Sequence, residues 1–172
     1  MAIATSPTRE KFPLSPKKVI KKTITSSLTW LVLVFFLGGF IIPIIAIVDR
    51  GVLFFPAILI NLVLLAIIII LTYLYQKWYF NTYFYDLTND YIIIRKDPIT
   101  PKEITIPYER VQDVYVDQDL FDRFFGLYDV HVSSATISSG MEAHIDGVEK
   151  PAADGLRAVL LDTVKSRISK KV

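Results

Sequence analysis

Between Thr23 and Gln76 the chain carries only two charges, Asp49 and Arg50, adjacent at the midpoint of the stretch. The flanks, Thr23–Val48 and Gly51–Gln76, are rich in Ile, Leu, Val and Phe and show no polar face. As a helix, each flank would extend about 37–39 Å at 1.5 Å per residue, against a hydrocarbon core of about 30 Å. A helix that is apolar all round does not suit a membrane surface, and a small soluble domain could not cover two of them. The stretch therefore reads as a two-helix transmembrane hairpin over residues 23–76, with spans of about 24–48 and 52–76. Only Asp49-Arg50-Gly51 joins the spans, so they run antiparallel as neighbours. A secretory signal would have an apolar run of about 7–15 residues and a small-residue cleavage site. Here the run is longer, no such site follows it, and a second run begins at once.

Charge sets the expected orientation. Arg9, Lys11, Lys17, Lys18, Lys21 and Lys22 precede the first span and Lys77 follows the second, while the turn holds one Arg. Basic residues are retained on the cytoplasmic side, so both termini are expected there, in a multi-pass protein of the cell membrane. Trp30, Tyr73, Tyr75, Trp78 and Tyr79 would form one interfacial aromatic belt on that side. With Trp30 at the interface, the bilayer portion of the first helix narrows to Leu28–Val48. Residues 1–22, with Pro7, Pro13 and Pro16 among Ser, Thr and Lys, lack apolar periodicity and read as a disordered basic arm.

Counting outward from the turn places Gly38 and Gly39 at the same depth as Asn61. Small residues let helix backbones approach, and an amide in lipid prefers a helix partner to hydrocarbon. The expectation is that Asn61 packs into a Gly38–Gly39 notch, at on the order of 1 kcal/mol. Contacts between copies of the chain, or no packing role at all, are the competing readings of Asn61. Pro43 kinks the first helix or is absorbed near its outer end.

After Trp78 the period changes from helix to strand. Tyr83–Leu87, Tyr91–Arg95, Glu103–Ile106, Val111–Val116, Tyr128–Ser134 and Glu142–Gly147 are aromatic or β-branched, or alternate between apolar and polar. Polar turns separate several of them, notably Thr88-Asn89-Asp90 and Ser138-Ser139-Gly140. Short strands so closely spaced indicate an antiparallel sheet built of hairpins. Leu120–Phe125 reads as a one-turn helix ended by Gly126, with Leu120, Phe121, Phe124 and Phe125 filling the open end of the sheet. A last helix starts near Pro151 and presents Ala152, Leu156, Val159, Leu160, Val164 and Ile168 on one face. The fold class is α+β, with residues 79–172 forming a cytoplasmic domain behind the hairpin.

Three blocks in this domain carry a resemblance: Tyr85-Asp86-Leu87-Thr88-Asn89-Asp90-Tyr91-Ile92-Ile93-Ile94-Arg95, Ile106-Pro107-Tyr108-Glu109-Arg110-Val111-Gln112-Asp113-Val114 and Arg123-Phe124-Phe125-Gly126-Leu127-Tyr128-Asp129-Val130. Residues 79–170 resemble the bacterial pleckstrin-homology-like (PH-like) domain family found in YdbS-like membrane proteins, and Thr88, Asp90, Pro107, Gln112, Arg123 and Gly126 are the positions that match its pattern. The resemblance implies a bent antiparallel sheet, nearly a barrel, capped by the C-terminal helix. The chain departs from the pattern at Asp97-Pro98-Ile99-Thr100-Pro101, where many members have a Gly-containing hairpin. Pro107 cannot donate to a ladder and belongs at a strand end or an edge. Gln112 and Arg123 suit local backbone and carboxylate partners better than a ligand.

Chemistry is sparse. Asp129, His131 and Ser133 have the letters of a catalytic triad, but alternate residues on a strand stand parallel at about 7 Å and cannot relay a proton. They read as a solvated sheet face. His131 and His144 could meet across strands and, with Asp129, Glu142 or Asp146, offer metal ligands, though histidines on polar strand faces are ordinarily just exposed. The chain has no cysteine, no Gly-rich phosphate loop and no nucleophile–base pair. No enzymatic activity, cofactor, metal, nucleic acid or small-molecule substrate is expected. The expected partners are the lipid bilayer and a protein, or a second copy of the chain.

Residues 77–172 hold twelve Lys/Arg against fifteen Asp/Glu, and Asp113, Asp117, Asp119 and Asp122 concentrate acid near their middle. Binding anionic headgroups needs clustered cations, which appear only at Lys170-Lys171. A protein-interaction or assembly module at the cytoplasmic membrane face is therefore expected over an anionic-lipid sensor. An accessory subunit of a transport or stress-response complex comes third, since no intramembrane charge lines a path.

Overall fold

The structure is a computed structural model that describes residues 6–48, 51–134 and 143–169. Backbone contacts divide the chain into two units, Met1–Lys18 with Trp78–Val172, and Val19–Lys77. The second unit is built from the long helices. Helix α2 runs over Lys17–Val48 and α3 over Phe54–Thr82, after a short helix α1 at Pro7–Lys11. Both α2 and α3 are long and apolar enough to cross a membrane. They outrun the sequence boundaries: α2 starts seven residues before 24 and α3 ends six after 76, because no Gly or Pro interrupts helix propagation at either place. Of the joining turn, Asp49 and Arg50 lie outside the described residues, while Gly51 adopts φ 83°.

The first unit is a β-rich domain. Strands β1 (Phe84–Leu87), β2 (Tyr91–Lys96) and β3 (Lys102–Pro107) form one antiparallel sheet in that order. A second antiparallel sheet holds β4 (Val111–Asp117), β5 (Leu127–Ser134) and β6 (Ala143–Glu149). The expected single bent sheet is thus divided, and the break falls where Pro107 lacks an N–H and a 3-10 turn covers Tyr108–Arg110. A short helix α4 (Leu120–Phe125) links β4 to β5, and α5 (Lys150–Ser169) closes the domain. The strand periods translate directly into burial: on β5, Val130 and Val132 are buried while the alternating Asp129, His131 and Ser133 are only partly covered. Leu156 and Leu160 of α5 are buried as its periodicity required; Ala153, which that periodicity did not select, joins them in the core. The side chain of Ile168, the turn at 138–140, Glu142 and Lys170-Lys171 lie outside what the structure describes.

Residues 6–22 are not a disordered arm. Pro7 opens α1, whose Ser6 cap accepts the Arg9 N–H at 3.0 Å, and Lys17–Lys22 already belong to α2. Ser6 donates to Tyr85 O at 2.6 Å and Thr8 to the Asp86 carboxylate at 2.6 Å, while the Arg9 guanidinium donates to Tyr83 O at 2.6 Å. Farther on, Leu14 forms a bridge with Val148 and enters the core, and the Ser15 N–H donates to Gly147 O at 2.9 Å. One segment therefore clasps an edge strand of each sheet, β1 and β6. Its composition looked disordered because its anchors are polar groups that bond to backbone seventy or more positions away.

Helix α4 also departs from the expected packing. Leu120 and Phe124 are 85 % and 84 % exposed and Phe121 is 40 % exposed, so they do not fill the end of the sheet. Asp122 turns inward instead.

Candidate functional site

At the end of β3 lies a cleft of about 290 Å³ lined by Asp90, Tyr91, Pro107, Tyr108, Glu109, Arg110 and Arg167. Strand register creates it: Tyr91 faces Pro107 across β2 and β3, and the 3-10 turn that follows Pro107 carries Tyr108–Arg110. The opposite wall is α5, whose Arg167 pairs with Asp90 at 2.7 Å and also donates to Asn89 O. Burial, and then the nearby Asp86 charge, push the Tyr108 hydroxyl up to about 12, with Arg167 opposing. It stays neutral at physiological pH, leaving Asp90, Glu109, Arg110 and Arg167 as the cleft's charges. Acid and base are matched two to two.

Two family-pattern positions line the cleft and a third braces the turn beside it. Thr88 closes the β1–β2 turn, accepting the Tyr91 N–H at 3.0 Å and donating to Tyr91 O at 2.8 Å. Asp90 and Pro107 line the cleft itself. The other three lie elsewhere: Gln112 is exposed at a register shift between Val111 and Asp113, Arg123 is exposed on α4, and Gly126 ends α4 at φ 68°. Pro107 is the last residue of an edge strand. In the long-helix unit, Asn61 packs on Gly38, where an added Cβ would fall 2.7 Å from the Asn61 Nδ2; Gly39 faces open space.

The polar face of the second sheet is a stack rather than an open surface. His131 stacks on Tyr115 at 4.7 Å and on His144 at 5.3 Å between ring centroids. Its Nε2 lies 3.0 Å from the Asp117 carboxylate, and Asp129 accepts the Gly147 N–H at 2.8 Å. Asp117, Asp129 and His131 bring one ligand atom each within 4.8 Å of the others. Of the carboxylates expected near the histidines, Asp146 is engaged elsewhere and Glu142 lies outside the described residues.

Asp146 pairs with Lys18 at 2.7 Å, with side chains only 6 % and 3 % exposed. The Lys18 ammonium also lies 4.0 Å from the Tyr83 ring centroid, a cation–π contact inside the domain. Nothing in the local sequence distinguished Lys18 from its basic neighbours. Beside it, Lys17 donates to Glu149, holding that carboxyl below its ordinary range with help from Ser15.

The pattern described as "Bacterial PH domain" matches residues 31–164. The chain belongs to the bacterial PH domain family. That match takes in α2 from Leu31 onward and all of α3 together with both sheets. No curated protein and no solved structure matches the chain. In this bacterial PH domain protein, the cleft beside Pro107 gathers charged and aromatic side chains, and α4 exposes Leu120, Phe121 and Phe124.

Proposed function

We propose that this protein is a membrane-anchored, non-enzymatic interaction module. The two long helices cross the membrane as a hairpin, both termini lie on the cytoplasmic side, and the PH domain holds a protein partner at that face. The length and hydropathy of α2 and α3 support the anchoring, and the six basic residues before the first span support the orientation.

The observation that carries the protein-binding reading is the charge balance of the cleft. A pocket for anionic headgroups collects cations, whereas this one sets Asp90 and Glu109 against Arg110 and Arg167. Tyrosine and arginine, both present, are the residue types that dominate binding energy at protein interfaces. The neighbouring edge strand β3 adds a row of backbone groups of the kind that extended peptides pair with. The polar residues that could suggest catalysis serve the fold: Asp129 holds the Gly147 N–H, and His131 stacks between two rings.

The test is purification of the intact protein from membranes beside a Tyr91→Ala/Arg110→Glu variant. A stoichiometric companion, a second copy of the chain included, is expected with the parent and should bind at least about tenfold more weakly to the variant. Equal retention by both would refute the cleft as the binding surface. Hydrogen-exchange protection of the cleft that follows anionic lipid content would favour a lipid sensor instead.

A further inference from the structure

We propose that α4 is a second membrane contact, in which Leu120, Phe121 and Phe124 insert into the interfacial zone of the bilayer. The helix is rigidly closed at both ends. Asp119 accepts the Asp122 N–H at 2.6 Å at its start, and Gly126 takes the left-handed conformation at its end. With 3.6 residues per turn, positions 120, 121 and 124 share one face, and that face points outward. Asp122, the acid within the helix, is buried, while Arg123 is exposed. The presented chemistry is therefore two phenyl rings, an isobutyl group and a guanidinium. Apolar side chains beside a cation suit the boundary between acyl chains and phosphates.

Area selects lipid over protein. An aromatic side chain presents about 150–250 Å², so three partly exposed side chains offer a few hundred. A stable protein interface needs about 800 Å² from each partner. A bilayer has no such requirement when the domain is already tethered, because a short connection holds the surface at an effective concentration on the order of millimolar. Tyr83 alone separates α3 from β1, which makes the tether short. The exposed Asp117 and Asp119 beside the helix repel anionic headgroups, so the apolar wedge drives the contact and the anionic fraction does not. The inference rests on the membrane-anchored reading above and uses a surface on a different element from the cleft.

The chain has no cysteine, so single labels are clean. A nitroxide on Phe124→Cys and another on Glu109→Cys are compared in the full chain reconstituted into phosphatidylcholine bilayers. The label at 124 is expected to lose collisions with a water-soluble nickel complex and gain them with oxygen, while the label at 109 keeps its nickel access. Diluting the protein in lipid or adding anionic lipid should change neither. Leu120→Asp/Phe121→Ser should restore nickel access at 124. A label at 124 as water-accessible as the one at 109 overturns the proposal. So does shielding that vanishes on dilution, which would assign α4 to a contact between copies. Flotation of protein with alkaline-washed vesicles reads anchoring by the long helices separately.

Discussion

Removing a lysine and an aspartate from water together is tolerable only while each has the other. Lys18 and Asp146 meet that condition at 2.7 Å, with the Tyr83 ring completing the ammonium's surroundings. The residue after Asp146 shows how tightly the lysine stem is held. Gly147 sits at φ 78°, and an added Cβ would fall 2.6–2.8 Å from the Lys18 side chain, so glycine is required there for both backbone and space. Lys18→Ala is expected to destabilise the domain by about 3–5 kcal/mol, because it strands the buried Asp146 carboxylate. Lys18→Met/Asp146→Leu should recover most of that loss. Denaturant unfolding of the detergent-solubilised protein measures both, and a single substitution no worse than the double would show that the pair is not the source of the stability. None of this was legible in the basic run from Lys17 to Lys22, where Lys18 reads as one topology charge among several.

At the scale of elements, legibility followed length. α2, α3 and α5 repeat their pattern over many turns, and the strands alternate over enough residues for period and face to be read. Depth counting from the turn even brought Asn61 level with Gly38, and the structure packs the amide on that glycine; Gly39 takes no part. With Gly38→Cys and Asn61→Cys in this cysteine-free chain, oxidation is expected to give a disulfide within one chain. A product found only as a covalent dimer would move Asn61 to an interface between copies. Helix α4 shows the opposite case. Six residues, four of them apolar, complete too few turns to define a face, and only the inward turn of Asp122 decides that Leu120 and Phe124 point outward.

On the whole-molecule scale, the PH domain is discontinuous. Residues 6–18 belong to it as fully as residues 78–169 do, since Leu14 enters the core, Ser6, Thr8 and Ser15 bond to strands and Arg9 bonds to the backbone just before β1. A polypeptide beginning at residue 78 leaves those edges and the Leu14 site open. It is expected to unfold without cooperativity, whereas the same polypeptide with residues 6–18 joined through a flexible linker should unfold cooperatively. Leu14→Ala in the full chain should cost about 2–5 kcal/mol, the usual range for emptying a buried leucine site. Equal urea unfolding curves for the two polypeptides would show the clasp to be ornamental. By itself the sequence determined the two apolar helices, the strand periods, the terminal helix and the family, because each is a repeat that neighbouring residues express together. Only the tertiary structure decided the clasp, the Lys18–Asp146 pair and the outward face of α4. The physical reason is separation: Lys18 and Asp146 lie 128 positions apart, and a polar group's partner at that distance leaves no mark on its neighbours in the chain.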